Sequence, residues 1–177
     1  MYVGNDIVDL NEVLHPRFAE RICEEGELSI MLHKKFSPWL YWAVKESAYK
    51  ALKKQDFSIV FAPKKFLVRT DPWECQYKGL RVDLQVTETC QYVHAIAVCP
   101  NGLSSKLRYK VARRDESISE SEDVRKLAND LLEELGYCNC TIINKPPQVF
   151  CEGRRLYGID VSLSHDGRFI AAVISIT

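Results

Sequence analysis

SPWLYWAVKESAYKALKKQ, residues 37–55, read against LRVDLQVTE, residues 80–88, decides the fold class. The first stretch is dense in strong helix formers. Pro38 suits the first helical position after a Ser37 cap, so the spacing predicts a helix ending near Asp56. The second alternates Leu80, Val82, Leu84 and Val86 with polar residues, which predicts a strand with one buried face. Working outward, FLVR (66–69) and YVHAIAVC (92–99) read as further strands. Residues 2–10, YVGNDIVDL, read as a short buried strand ending at Asp9. Pro16 opens a helical region through Phe18, Ile22, Leu28, Met31 and Leu32, with a break expected near Gly26. Helices and strands therefore share the chain, and the class is α+β with antiparallel sheets and packed helices.

Past a turn signal at Pro100-Asn101-Gly102, KLRYKVARR (106–114) reads as a strand. The acidic, serine-rich stretch Asp115–Asp123 reads as a solvated connector. Ser119 or Ser121 caps a predicted helix over 122–135, with Val124, Leu127, Ala128, Leu131, Leu132 and Leu135 on its apolar face and Gly136 closing it. A strand at 140–143, a Lys145-Pro146-Pro147 turn and a short strand near Val149 follow. The closing segment DVSLSHDGRFIAAVISIT (160–177) reads as a strand pair turning at Asp166-Gly167. We expect one domain over 1–177, divisible into halves 1–100 and 106–177, without a residue-level repeat between them.

The 177 residues carry 24 Lys+Arg and 24 Asp+Glu, a formal net charge of +0. No global field draws such a chain to nucleic acid or to a membrane, so electrostatic recognition must be local. No apolar run reaches transmembrane length, and Met1–Asp6 lacks the pattern of a secretory signal. The seven cysteines are scattered, and Cys138-Asn139-Cys140 is too tight for half of a usual zinc site. They read as incidental thiols in a reducing cytoplasm, the expected location.

Three groups of residues are able to carry chemistry. Asp6 lies between apolar neighbours, where a carboxylate needs a donor, a cation or a metal; it is either a cap or a ligand. Asp9, at the strand's end, reads as a cap. In Trp42-Ala43-Val44-Lys45-Glu46-Ser47-Ala48-Tyr49-Lys50, a helix sets Glu46 and Lys50 one turn apart on one face with Trp42. That pair is either an ordinary surface ion pair, or Glu46 joins Asp6 on a divalent cation while Lys50 meets phosphate. Mg²⁺ commonly takes one or two carboxylates, with waters and substrate phosphates filling its octahedron. In Ser162-Leu163-Ser164-His165-Asp166, strand alternation sets Val161 and Leu163 on one face and Ser162, Ser164 and Asp166 on the other. A Ser-His-Asp triad needs convergence in space, which neighbours along one strand cannot provide. There is no G-x-S-x-G elbow, no phosphate-binding P-loop and no dinucleotide glycine motif.

Together, Gly4-x-Asp6-Ile7, Trp42-x-x-Lys45-Glu46-Ser47-x-x-Lys50 and Ser162-x-Ser164-His165 resemble the 4'-phosphopantetheinyl transferase superfamily. The middle motif is close to that family's W-x-x-K-E-[AS]-x-x-K signature. The resemblance implies a Mg²⁺-dependent enzyme of the holo-acyl-carrier-protein synthase kind. It would move phosphopantetheine from coenzyme A to a serine of an apo acyl or peptidyl carrier protein, for instance in fatty acid biosynthesis. It implies Asp6 and Glu46 as metal ligands, Glu46 and Lys50 as catalytic groups, and Lys45, Lys145, Ser164 and His165 as coenzyme A contacts. Lys145-Pro146 is similar to the family's G-[KR]-P element, with Asn144 in place of its glycine. Val8 stands where some members carry a third acidic residue, which leaves Asp6, Glu46 and water. Arg17, Arg21, Lys34 and Lys35 are candidates for an acidic carrier, or are simply solvated helix charges.

Members of this family are either short chains that trimerise or longer pseudo-dimers with the S-x-S-H half first. Here that order is reversed. Both an internally paired, monomeric pseudo-dimer and a homotrimer with an insertion stay open. A non-catalytic coenzyme A or carrier-binding module, or another Mg²⁺-dependent phosphotransferase, are the competing functions.

Overall fold

The computed structural model describes residues 1–100 and 107–176. The expected turn at Asn101-Gly102, together with Lys106 and Thr177, lies outside the described residues. The elements in chain order are β1 (Tyr2–Asp9), α1 (Phe18–Ile22), α2 (Glu25–Lys34), α3 (Pro38–Gln55), β2 (Leu67–Thr70), β3 (Trp73–Tyr77), β4 (Leu80–Glu88), β5 (Tyr92–Cys99), β6 (Leu107–Arg113), α4 (Glu120–Glu134), β7 (Cys140–Ile143), β8 (Gln148–Cys151), β9 (Arg154–Arg155), β10 (Ile159–Asp166) and β11 (Phe169–Ile176). Three antiparallel sheets result, ordered β1-β5-β4-β3-β2, β10-β11-β6 and β7-β8-β9. This is a mixed architecture of antiparallel sheets and few helices.

Local chemistry sets the boundaries. Ser37 Oγ accepts the Trp39 N–H at 3.2 Å, Pro38 occupies the first turn, and α3 stops at Asp56. Ser119, not Ser121, caps α4. The break expected near Gly26 lies instead at Cys23–Glu24, because Glu27 reaches back to the Glu24 N–H at 2.9 Å and starts α2 there. β3 and β9 had no sequence signal. In β3 both Glu74 and Cys75 are buried, which destroys the alternation, and Arg81 pairs with the buried Glu74.

The first five strands, with α1 to α3, enclose one apolar cluster around Tyr41, Val44, Leu52, Phe66 and Val82. A second cluster joins α4 to β7, β8, β10 and β11 through Leu127, Leu132, Val149, Val161 and Ile174. Smaller contacts (Val3, Ile96, Val98 and Val173; Ile7, Phe169 and Ala171) seat β11 across β1 and β5.

Gly4 brings α3 and β1 together. A Cβ there would lie 2.0 Å from the Ser47 carbonyl oxygen and 2.7 Å from the Ala51 nitrogen, so only glycine permits the approach.

The free edge of β1 is satisfied unusually. Its N–H groups do not meet a backbone; they donate to side chains of β10. Val3 donates to Asp160 Oδ2 (2.6 Å), Asn5 to Ser162 Oγ (2.9 Å), Ile7 to Ser164 Oγ (3.1 Å) and Asp9 to Asp166 Oδ2 (2.7 Å). Each partner lies 157 residues on, so the two strands run the same way and their periods match. The ladder also shifts the hairpin turn by one residue. Asp166 stays in the ladder and pairs with Phe169, leaving Gly167-Arg168 as the loop rather than Asp166-Gly167. Gly167 has φ 50°, and a Cβ on it would meet Asp9 Oδ2 at 2.6 Å.

Candidate active site

The seam between β1 and β10 opens into a cleft of about 780 Å³. One wall is β1 and the exposed side of α3, with Asp6, Trp42, Glu46, Tyr49 and Lys50. The other is the start of α4, the Asn144–Pro147 turn and the end of β10, with Arg125, Lys145, Ser164 and His165. The three motifs, distant in sequence, thus face one space within one chain.

At its centre Lys50 Nζ donates to Asp6 Oδ1 at 2.7 Å and to the Asn5 carbonyl at 3.0 Å, and lies 3.5 Å from Ser164 Oγ. Ser164 Oγ donates to the same Asp6 oxygen at 2.9 Å while accepting the Ile7 N–H. One residue from each of β1, α3 and β10 therefore meets at Asp6. Burial pushes the Asp6 carboxyl above the usual carboxylate range, against the pull of Lys50 and Ser164. Glu46, one turn from Lys50, is raised as well, first by burial and then by the charge of Asp6, with Lys50 opposing. Two partly desolvated carboxylates on one wall, one of them raised by the charge of the other, are a site that gains from a further cation.

At the other end, His165 Nδ1 lies 3.0 Å from Glu120 Oε2, and Arg114 holds Glu120 Oε1 at 2.8 Å. Glu120 thereby fixes which edge of the imidazole is free. Lys145 is exposed and makes no hydrogen bond or ion pair with the described residues, so its charge is uncommitted. Asn144 has φ 72°, the left-handed region that glycine enters freely and asparagine tolerates.

Lys45 is a correction. The expected coenzyme A contact is fully buried on the far side of α3, bonded to Glu27 Oε2 (2.6 Å), the Ile22 carbonyl (2.8 Å) and the Pro63 carbonyl (3.2 Å). A helix turns about 100° per residue, which here carries Lys45 under α3 towards Glu27 while Glu46 lines the cleft. Asp9 binds Arg168 through both oxygens (2.6 and 2.8 Å) and caps the Asn11 N–H. Arg17, Arg21, Lys34 and Lys35 are exposed but stand outside the cleft, with Arg17 paired to Glu20 and Lys34 bonded to Thr70.

Sequence reasoning passed over Lys54, Asp160, Glu120 and Arg125. Lys54, buried one turn beyond Lys50, ties α3 to both strands through the Val3 carbonyl (2.7 Å), Asp160 Oδ2 (2.8 Å) and the Val161 carbonyl (2.7 Å). Burial draws its pKa below the lysine range, with Asp160 opposing. The Glu46-Lys50-Lys54 spacing and the Asp160-x-Ser162-x-Ser164-x-Asp166 alternation carried the signal for it. Arg125 Nε donates to the Ile142 carbonyl at 3.1 Å, tying α4 to β7 beside the Lys145 turn.

Among the described residues no helix is long and apolar enough to cross a membrane. No curated protein and no solved structure matches the chain. A family model does match, that of the 4'-phosphopantetheinyl transferase superfamily, over residues 2–99. That span takes in β1 to β5 with Gly4, Asp6, Glu46 and Lys50, and leaves Ser164, His165 and Lys145 outside it. With more than half of its 177 residues matched and its motif carboxylates beside Lys50, the chain belongs to the 4'-phosphopantetheinyl transferase superfamily.

Proposed function

We propose that this protein transfers 4'-phosphopantetheine from coenzyme A to a serine hydroxyl of an apo carrier protein, releasing 3',5'-ADP. The observation that carries this reading is the shared cleft. Asp6, Glu46 and Lys50 from the family-matched region face Lys145, Ser164 and His165 across it. Such a space suits a long, anionic substrate with phosphates at one end and a flexible arm at the other.

The donor set fits Mg²⁺, since Asp6 is buried, Glu46 is half-buried, both carboxyls are raised and oxygen is the ligand Mg²⁺ prefers. Asp6 and Glu46 would hold the ion, and when bound it would supply positive charge to the pyrophosphate oxygens. Glu46, on the cleft wall one turn from Lys50, takes the proton from the attacking serine hydroxyl. Lys50 places its ammonium against the phosphoryl oxygens, where charge accumulates as the hydroxyl attacks the β-phosphate. Lys145 and His165 bind the nucleotide end, His165 held by Glu120 so that its other ring nitrogen faces the 3'-phosphate. Arg17, Arg21, Lys34 and Lys35 give an acidic carrier a basic surface.

We read the halves 1–100 and 106–177 as an internally paired pseudo-dimer that builds one site within one chain. The β1–β10 ladder, which joins the two halves within one chain beside the cleft, supports this. Size-exclusion chromatography should then give a monomer near 20.4 kDa.

The decisive assay incubates the protein with coenzyme A, Mg²⁺ and apo carriers of fatty-acid, polyketide and peptide synthesis, then weighs each carrier. A gain of one phosphopantetheine is expected on at least one. No gain on any of them sinks the reading, and coenzyme A binding without transfer would mark a binding module. Glu46→Gln should lower the rate by about 10²–10⁴ while leaving the unfolding midpoint in place.

A further inference from the structure

Three cysteines that looked incidental along the chain meet on one hairpin, away from the cleft. Cys140 in β7 and Cys151 in β8 are direct cross-strand partners, so their side chains leave the same face of the hairpin. Both thiols donate to one acceptor, the Cys138 carbonyl: Cys151 Sγ at 3.4 Å and Cys140 Sγ at 3.8 Å. Asn139, at φ 57°, bends the chain back in the left-handed region and brings the Cys138 carbonyl beside the pair. Cys138 itself is exposed, and Cys140 and Cys151 are half-buried. The other four cysteines differ: Cys23, Cys75 and Cys99 are buried, and Cys90 is exposed without a cross-strand cysteine. Among the described residues no group of three His, Cys, Asp or Glu side chains is arranged to hold a metal ion, so the convergence is not a zinc site.

We infer that Cys140 and Cys151 form an oxidisable dithiol, which a peroxide converts into a disulfide within the β7–β8 hairpin. Register already sets the partners side by side, so closing the bond needs no exchange of strands. The Cys151 sulfur attacks the O–O bond of the peroxide, taking one oxygen as a sulfenic acid while the other leaves as water. The Cys140 sulfur then displaces that oxygen, the S–S bond forms, and the second water departs with the thiol proton. Two thiols lose two electrons in total and one peroxide gains them. Burial, then the Cys151 thiol, pushes Cys140 up to about 11, which makes it the poorer first target for the oxidant. The same hairpin presents Lys145 to the cleft from its opposite end, so the bond would fasten the base of the element that carries that charge. The chemistry is independent of what the cleft binds.

The experiment treats the intact protein with a small excess of hydrogen peroxide, blocks free thiols with an alkylating agent, digests without reductant and maps the peptides by mass spectrometry. The expected product is a Cys140–Cys151 linked peptide, lighter by two hydrogen atoms than its reduced parts and lost on adding dithiothreitol. Cys151→Ser should abolish that link, and Cys90→Ser should leave its yield unchanged. Recovery of Cys140 and Cys151 as separately alkylated residues, or as sulfinic acids, would overturn the inference. So would a map dominated by links between chains through Cys90. The wild-type map decides the matter whether or not the serine variants fold.

Discussion

Along one edge β1 meets β5 backbone to backbone, from Tyr2↔Cys99 to Asp9↔Tyr92; along the other it meets the side chains of Asp160, Ser162, Ser164 and Asp166. The first seam uses groups that nearly every residue carries, so it constrains sequence only through burial and β propensity. The second demands a short oxygen-bearing side chain at every other position of β10. It also leaves the two strands far enough apart for Lys50 to reach Asp6 and Ser164 between them. A sheet joined along both edges would close that space. The side-chain seam is therefore what opens a site at the centre of the molecule.

Substitutions along the two seams should separate them. The largest effect is expected from Asp160→Ala, which strands the buried Lys54 ammonium and the Val3 N–H together. Denaturant unfolding should show a loss of about 3–5 kcal/mol, and a loss below about 1 kcal/mol would mean the seam is not a structural join. On the β5 side, burial lowers the pKa of His94 to about 4, below the ordinary histidine value of 6.5. Its folded-state pKa lies below the unfolded one, so its contribution is present above 6.5 and is lost as the pH falls through the window towards 4. His94→Phe should remove a slope worth about 3 kcal/mol in all, read as the difference between the two stability–pH curves. Parallel curves would show that His94 is already solvated or paired. Ser162→Ala, which removes the acceptor of the buried Asn5 N–H, should cost about 1–2 kcal/mol and leave β1–β5 amide protection intact. Loss of protection on both edges would show that the seams do not act separately.

Much of this was legible along the chain, for physical reasons that differ between the two seams. The strands at 80–88 and 92–99 and the helix from Pro38 follow from periodicity and capping, and their boundaries agree with the structure. The S-x-S-H stretch stood out because the side-chain seam fixes residue types at a period of two. Gly4 carried a signal as well, through the close approach of α3, whereas the left-handed backbone at Asn144 emerged only from the structure. Lys45 misled because a motif records residues under constraint without saying which face they constrain. It is bound to Glu27 beneath the helix, while its neighbour Glu46 looks into the cleft. Spacing and alternation mark the positions of Lys54, Asp160, Cys140 and Cys151, but only the folded register says which residue meets which.

The proposed transfer requires one site assembled within one chain, from Asp6, Glu46 and Lys50 on one side and Lys145, Ser164 and His165 on the other. Complementation tests that most directly. Glu46→Gln and His165→Ala chains, each deficient in transfer alone, are unfolded together, refolded as a mixture and assayed by the mass of an apo carrier. A site within one chain gives a mixture no more active than its components. Recovery of a substantial fraction of wild-type transfer would place the two walls of the cleft on different chains and contradict the account.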